Sequence, residues 1–333
     1  MEVPIRQMRF TSIVFVIAIS TQTPTLGQGS SAAVEAHRAA ARAAAGQDLI
    51  GIYDAACAAG TRANPGPGAG RGAASGPRPT PPREQWYAEP VKVFDNLYFL
   101  GTKVHGAWAV TTPDGIIVID ALFGYAAEPE IAEGLKKVGL DPAKIKYVVI
   151  SHGHGDHHGG AKFLQDQFNP RLIFSAADWD LVERDTRTPA PRRDMVATDG
   201  QKITLGGSTV TLYITPGHTA GTISTIVTLK DGPRSHLAAS WGGTVITTNT
   251  PIPMLEAYIK SAARFRDLAS GADVIMTNHT AFDGTLTKLE ATQKRKPGDP
   301  HPYVVGKDAV RRYLTVAEEC GKATLLAARA MQQ

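Results

Sequence analysis

A chain of 333 residues that is 43% apolar and 20% charged can bury a sizeable core, and this composition excludes a disordered protein. The formal net charge of +4 is small, and the cations are dispersed apart from Lys294, Arg295 and Lys296 beside a Pro-Gly turn. With no basic stripe and no aromatic platform, nucleic-acid binding is excluded as a function class.

In chain order, Arg6 and Arg9 precede an apolar run from Ile13 to Ile19, and small or polar residues follow up to Gly27. Residues 1–27 therefore read as an export signal cut after Thr25-Leu26-Gly27, and a soluble periplasmic or secreted product is expected. The apolar run falls well short of the about 20 residues that span a bilayer, so no membrane span is expected. Residues 28–59, rich in alanine, read as a short helical segment broken at Gly46. Residues 60–85, with Pro65, Pro67, Pro77, Pro79, Pro81 and Pro82, read as a linker or surface strap, because such a stretch cannot bury a core. The catalytic domain is expected over 86–333. Cys57 and Cys320 are the two cysteines; in an oxidising compartment they either pair or remain separate thiols, and the sequence leaves both open.

Strand and helix signals then alternate. "NLYFLGT", "AWAVTT" and "GIIVIDAL" are β-rich, with Pro113-Asp114-Gly115 as a hairpin turn. Residues 128–138 carry helical spacing that Gly139 ends, and "IKYVVIS" is a continuously apolar strand. A helix over 160–168 follows, then strands in "RLIFSAA", "QKITLG", "STVTLYITPG", "GTISTIVTLK" and "SHLAAS". The closing elements are a helix over 254–269, the strand "DVIMTNH" and a helix over 307–331. Residues 183–198, with Pro189, Pro191 and several arginines, read equally as a lid or a plain surface loop. Two strand-rich halves flanked by helices predict two facing sheets covered on their outsides.

The chemistry is concentrated in "SHGHGDHHGG", immediately after an apolar strand. His152, His154, Asp156 and His157 fall within six positions, separated by glycines that let a loop coil around a small object. Imidazole and carboxylate suit zinc, and four donors exceed what one tetrahedral ion takes while keeping a position for water, so two adjacent ions are expected. His218 in "ITPGHTAGT" and His279 in "VIMTNHTAFDG" also stand at strand ends and complete six ligands. The natural division gives one ion His152, His154 and His218, and the other Asp156, His157 and His279. His158 is expected to cap a helix or lie exposed. His37, His236 and His301 lack any such context, and His105 sits in a loop able to border a cleft.

The run, the following "PGHT" and the strand-end His279 resemble the metallo-β-lactamase superfamily over roughly residues 86–330, and the ligand set resembles its third lactamase subclass. The resemblance implies an αββα sandwich with two zinc ions at one edge between the sheets. It also implies that Asp120 in "IVIDAL" supports the ligands by hydrogen bonding, and that Ser240 stands where thioester hydrolases of the superfamily place a metal-bridging aspartate. Lactamases carry a second serine two positions on that holds the drug's carboxylate, whereas this chain has Gly242.

The expected activity is hydrolysis of a cyclic amide of the β-lactam type, with a lactone, ester or other amide as the alternative small-molecule substrate. Zinc lowers the pKa of water from about 15.7 towards about 7, giving a hydroxide nucleophile that Asp156 would orient. No Gly-x-Ser-x-Gly elbow is present, so a covalent serine mechanism is not expected.

Overall fold

The computed structural model describes Met1, residues 26–57 and residues 80–332. The apolar run of the expected signal and most of the Pro/Gly-rich linker lie outside the described residues. Among the described residues no helix is long and apolar enough to cross a membrane.

Among the described residues, twelve strands fall into two sheets. The first takes its strands in chain order: β1 (Val91–Phe94), β2 (Leu97–Phe99), β3 (Trp108–Thr112), β4 (Gly115–Ile119), β5 (Ile145–Val149), β6 (Arg171–Ser175) and β7 (Met195–Ala197). Pairing is antiparallel from β1 to β4 and parallel from β4 to β7. The second sheet is built from β8 (Gln201–Leu205), β9 (Ser208–Ile214), β10 (Ile223–Asp231), β11 (Arg234–Ser240) and β12 (Val274–Met276). Its order is β12-β11-β10-β9-β8, with only β11 and β12 parallel.

The period-2 geometry of a strand explains the layers. In β4, Ile117 and Ile119 point into the core between the sheets, while Ile116 and Val118 point outward under helices. In β12, Val274 and Met276 face the same inner core and Ile275 faces outward. Strands buried on both faces read as unbroken apolar runs, which is why β4 is so apolar, whereas β5 is buried on both faces only from Val148 and carries the exposed Lys146 nearer its start.

The outer face of the first sheet is covered by α4 (Gly124–Ala126), the π-helical turn Ala127–Ala132, α5 (Glu133–Lys137), α7 (Ala161–Phe168) and α8 (Ala176–Arg184). The outer face of the second is covered by α9 (Ile252–Leu268), α11 (Lys307–Ala330) and the N-terminal helices α1 (Leu26–Ala45) and α2 (Ile50–Cys57). The remaining helices among the described residues are the single turns α3 (Arg83–Trp86) and α6 (Gly155–His158), the 3-10 turn Pro142–Lys144, and α10 (Thr285–Lys294). The result is an αββα sandwich. Part of the segment read as a lid or surface loop, residues 183–198, is the edge strand β7, and α8, α10 and β1 are elements the sequence reading did not anticipate.

Cys57 at the end of α2 and Cys320 within α11, 263 positions apart, form a disulfide. Cys57→Ser is expected to lower stability by about 3–5 kcal/mol, because the bond closes a very long loop in the unfolded chain. Urea unfolding checks it: wild-type protein in reductant should fall to the variant's midpoint, and the variant should not respond to reductant.

Glu130 is buried in the π-helical turn, where one carboxylate oxygen accepts the Ala88 N–H at 3.0 Å. Burial pushes its pKa up from an ordinary 4.5 to about 8. Below pH 4.5 both folded and unfolded chains hold the proton. Between 4.5 and about 8 the unfolded chain releases it first, so this group erodes stability as pH rises through that window. Glu130→Gln should accordingly raise the thermal midpoint at pH 8 and leave it unchanged at pH 4.

Candidate metal centre

The strand ends β5, β9, β11 and β12 open onto one edge of the sandwich, and the chemistry-bearing residues follow them directly. Ser151, His152 and His154 follow β5, α6 carries Asp156 and His157, His218 lies beyond β9, and His279 lies beyond β12.

His152, His154 and His218 converge through one ring nitrogen each. His218 Nε2 is 3.1 Å from His152 Nε2 and 3.0 Å from His154 Nδ1. The far nitrogens fix the tautomers, because His152 Nδ1 donates to the Gly242 carbonyl at 2.9 Å and His218 Nδ1 donates to the Val245 carbonyl. Burial keeps all three rings neutral, pushing His218 down to about 3 and His152 and His154 below their ordinary value. The Nε2 lone pairs of His152 and His218 therefore face each other with no proton to share, and His154 turns its Nδ1 towards them. A cation between them would be bonded by all three nitrogens, and the spacing is close to the about 3.3 Å between neighbouring nitrogens of tetrahedral zinc.

A second donor cluster lies alongside. His157 Nδ1 donates to Asp120 Oδ2 at 2.9 Å, which leaves Nε2 directed at His279 Nε2 (3.2 Å) and Asp156 Oδ2 (3.3 Å). Burial would raise the Asp156 carboxyl, but His157 and the other histidines around it hold it well below the usual carboxylate range. Burial opposes charge on His157, yet Asp156 and Asp120 outweigh it and push His157 up to about 10. A proton at Nε2 thus stands where a cation would be held, and cation binding displaces it. His279 is pushed well below its ordinary value by burial and by His157.

Asp120 binds the two clusters together from behind. Its Oδ1 accepts the Ser151 N–H at 2.7 Å and its Oδ2 accepts the Ser151 hydroxyl at 2.9 Å as well as the His157 ring. The residue sits in the left-handed region at φ 64°, as does Leu122 at φ 60°, and the Leu122 carbonyl accepts the Gly160 N–H. A bulky side chain at positive φ costs about 1–2 kcal/mol, strain spent where the ligand loops meet.

Sequence reasoning missed Asp178. Buried in α8, it accepts Gly153 N–H (2.9 Å), the Thr219 hydroxyl (2.8 Å) and Gly221 N–H (3.1 Å), joining the His152–His154 loop to the loop that carries His218. Asp178→Ala is expected to cost about 3 kcal/mol by orphaning these donors, and to slow metal uptake at the three-histidine cluster; thermal melts and metal titration of the variant test both.

His158, expected at a cap or exposed, is fully buried against Phe174, with neither ring nitrogen hydrogen-bonded, and burial pushes it down to about 4. Its one-turn helix is covered by the first sheet's outer helices, which the local sequence does not reveal. His37, His236 and His301 are engaged elsewhere, with Glu319, Asp273 and the Val93 carbonyl.

Helix α2 supports the second cluster from outside: Gly51 packs so closely that a Cβ there would lie 2.0 Å from the Ala281 carbonyl oxygen, next to Phe282, which stacks on His279 at 4.8 Å. Ser240 ends β11, largely buried. At Gly242 a Cβ would meet the Ile223 carbonyl oxygen at 2.0 Å, so this backbone has no room for a side chain.

A family model described as the metallo-beta-lactamase superfamily matches residues 101–233, which include β3 to β10 and five of the six expected ligands. Residues 101–233 are thus similar to the metallo-β-lactamase superfamily. The metallo-β-lactamase architecture extends beyond the matched span in solved structures. A metallo-β-lactamase of Cronobacter sakazakii is 28% identical, with 74% of this chain and 98% of that chain covered at a TM-score of 0.65. BJP-1, a subclass B3 metallo-β-lactamase of Bradyrhizobium japonicum, shares the fold at 24% identity, covering 75% of this chain and 99% of that one at a TM-score of 0.64. Among curated relatives, a hydroxyacylglutathione hydrolase of Acidiphilium cryptum is 33% identical over 95 residues, which is 28% of this chain and 36% of the relative. The chain thus spans little more than a third of that relative's length.

Proposed function

We propose that the protein is a dinuclear zinc hydrolase that opens cyclic amides of the β-lactam type. The observation that carries the reading is the pair of adjacent donor clusters, one of three imidazoles and one of imidazoles with a carboxylate, each with its donor atoms converging on one point. His152, His154 and His218 would hold the first zinc, and Asp156, His157 and His279 the second. Zinc bound there supplies Lewis acidity and a water nucleophile near neutral pH.

The chain's own residues supply the rest. Asp156, kept ionised, is placed to accept a hydrogen bond from the attacking water and orient it. Asp120 holds His157 in the tautomer that offers Nε2. Ser240 in place of a bridging aspartate favours the lactamase-like arrangement over a thioester-hydrolase one. The export signal, if cut as expected, would put the enzyme in the periplasm or outside the cell.

Gly242 favours a second reading, a lactone or other ester as substrate, because no serine hydroxyl is available there to hold a β-lactam carboxylate. A chromogenic cephalosporin assayed beside a lactone panel, with and without chelator, separates the two. Cephalosporin turnover that chelator abolishes and zinc restores is the expected result. Lactone cleavage with no β-lactam turnover replaces the first reading with the second, and inertness towards both in zinc-loaded protein overturns hydrolysis of either class.

A further inference from the structure

We propose that His105 is a fourth protein ligand of the second cation, joining Asp156, His157 and His279. The inference rests on the dinuclear reading above and adds a donor that the sequence pattern does not contain.

The backbone places this ring deliberately. His105 closes a tight turn in which its N–H donates to the Thr102 hydroxyl and its carbonyl accepts the Thr102 N–H, both at 2.8 Å. It then forms an antiparallel bridge with His279, flanked by Gly106 N–H to the Asn278 carbonyl (2.8 Å) and Thr280 N–H to the Val104 carbonyl (2.9 Å). Two histidines from segments 174 positions apart are thereby locked side by side, with ring centroids 4.9 Å apart. Phe123 packs edge-on against the His105 ring at 5.1 Å, and the side chain is only 14% exposed.

The donor geometry is that of ligands around a shared centre. His105 Nε2, an Asp156 carboxylate oxygen and a His279 ring nitrogen all lie within 4.8 Å of one another. Three imidazole nitrogens surround the single oxygen Asp156 Oδ2, from His157 at 3.3 Å, His105 at 3.4 Å and His279 at 3.6 Å. A charge-assisted N–H···O bond runs at about 2.7–2.9 Å. The longer, uniform spacing instead matches neighbouring ligands of one cation with bonds of about 2.0–2.2 Å.

Four donors at the second position against three at the first make the two positions unequal. The second cation becomes the closed, firmly held one, and the three-histidine cation keeps the free position. Chelator should therefore remove the first cation before the second.

Cobalt(II)-loaded protein tests this without reference to turnover. Paramagnetic proton NMR of the wild type should show six exchangeable imidazole N–H signals, three from each position. Two bound cobalt ions with only five signals would overturn the role of His105 and leave the dinuclear reading intact, whereas fewer than two bound ions would overturn both. In titrations, His105→Ala should weaken the second equivalent at least 100-fold. His105→Gln, which keeps an N–H in reach of Asp156 but no imidazole, should weaken it as much; recovery of wild-type affinity in the Gln variant would make His105 a positioning residue and sink the proposal.

Discussion

His218→Ala should leave protein that binds one metal equivalent fewer and hydrolyses substrate at least about 10³-fold more slowly. The Lewis acidity of one ion is worth several kcal/mol, and each 1.36 kcal/mol is tenfold in rate. The mutation removes the nitrogen that faces both other donors of the first cluster, 3.1 Å from His152 and 3.0 Å from His154, so two imidazoles remain where three converged. Since His218 is otherwise held by a single hydrogen bond to the Val245 carbonyl, the fold should survive, with circular dichroism unchanged. Metal analysis by mass spectrometry beside the rate decides the outcome. Retention of both equivalents with activity within tenfold of wild type would remove His218 from the centre. His279→Ala, by contrast, should mainly weaken the second equivalent.

A loss of equal interest is expected at Asp120, which no cation touches. Asp120→Ala orphans the Ser151 N–H, the Ser151 hydroxyl and the His157 Nδ1–H in a buried setting, each costing about 1–3 kcal/mol. The variant should melt well below wild type and bind its second cation about 10–100-fold more weakly. Asp120→Asn separates the two effects. Its carbonyl oxygen can still accept from Ser151, but its amide offers His157 a donor, so the ring is driven to the tautomer with hydrogen on Nε2. A near-native melt with a weakened second equivalent is the expected signature. Unchanged affinity in Asn would mean that His157 does not depend on Asp120 for its tautomer.

What the sequence disclosed follows from how local each feature is. His152, His154, Asp156 and His157 are legible because glycine spacing and ligand type coincide within six positions after an apolar strand. Strand β4 is legible because burial on both faces leaves an unbroken apolar run, and β5 because its apolar residues outnumber the single exposed Lys146. Asp178 is invisible by the same logic: it reads as one more acidic residue of a short helix, and its role comes from donors in the loops at Gly153 and Gly221. His105 lies 51 positions before Asp156, and only the bridge to His279 brings the three together. The edge strands β1 and β7 span four and three residues, too few for a period to emerge. The partnership of Cys57 and Cys320 depends on α2 folding back onto α11, which spacing cannot encode.

Gly242 has a meaning for descent as well as for recognition. Its N–H donates to Ser224 Oγ, and its carbonyl accepts from His152 and Asn278. A serine here would press on the Ile223 carbonyl, and the Ile223 N–H is bonded in turn to the carbonyl of Ser151, the neighbour of His152. One codon change towards a carboxylate-holding hydroxyl would therefore disturb the first metal ligand before improving any grip on a drug. The path from this chain to an efficient lactamase with that serine is uphill at its first step, and the strand end at Ile223 must move before the substitution can be of use.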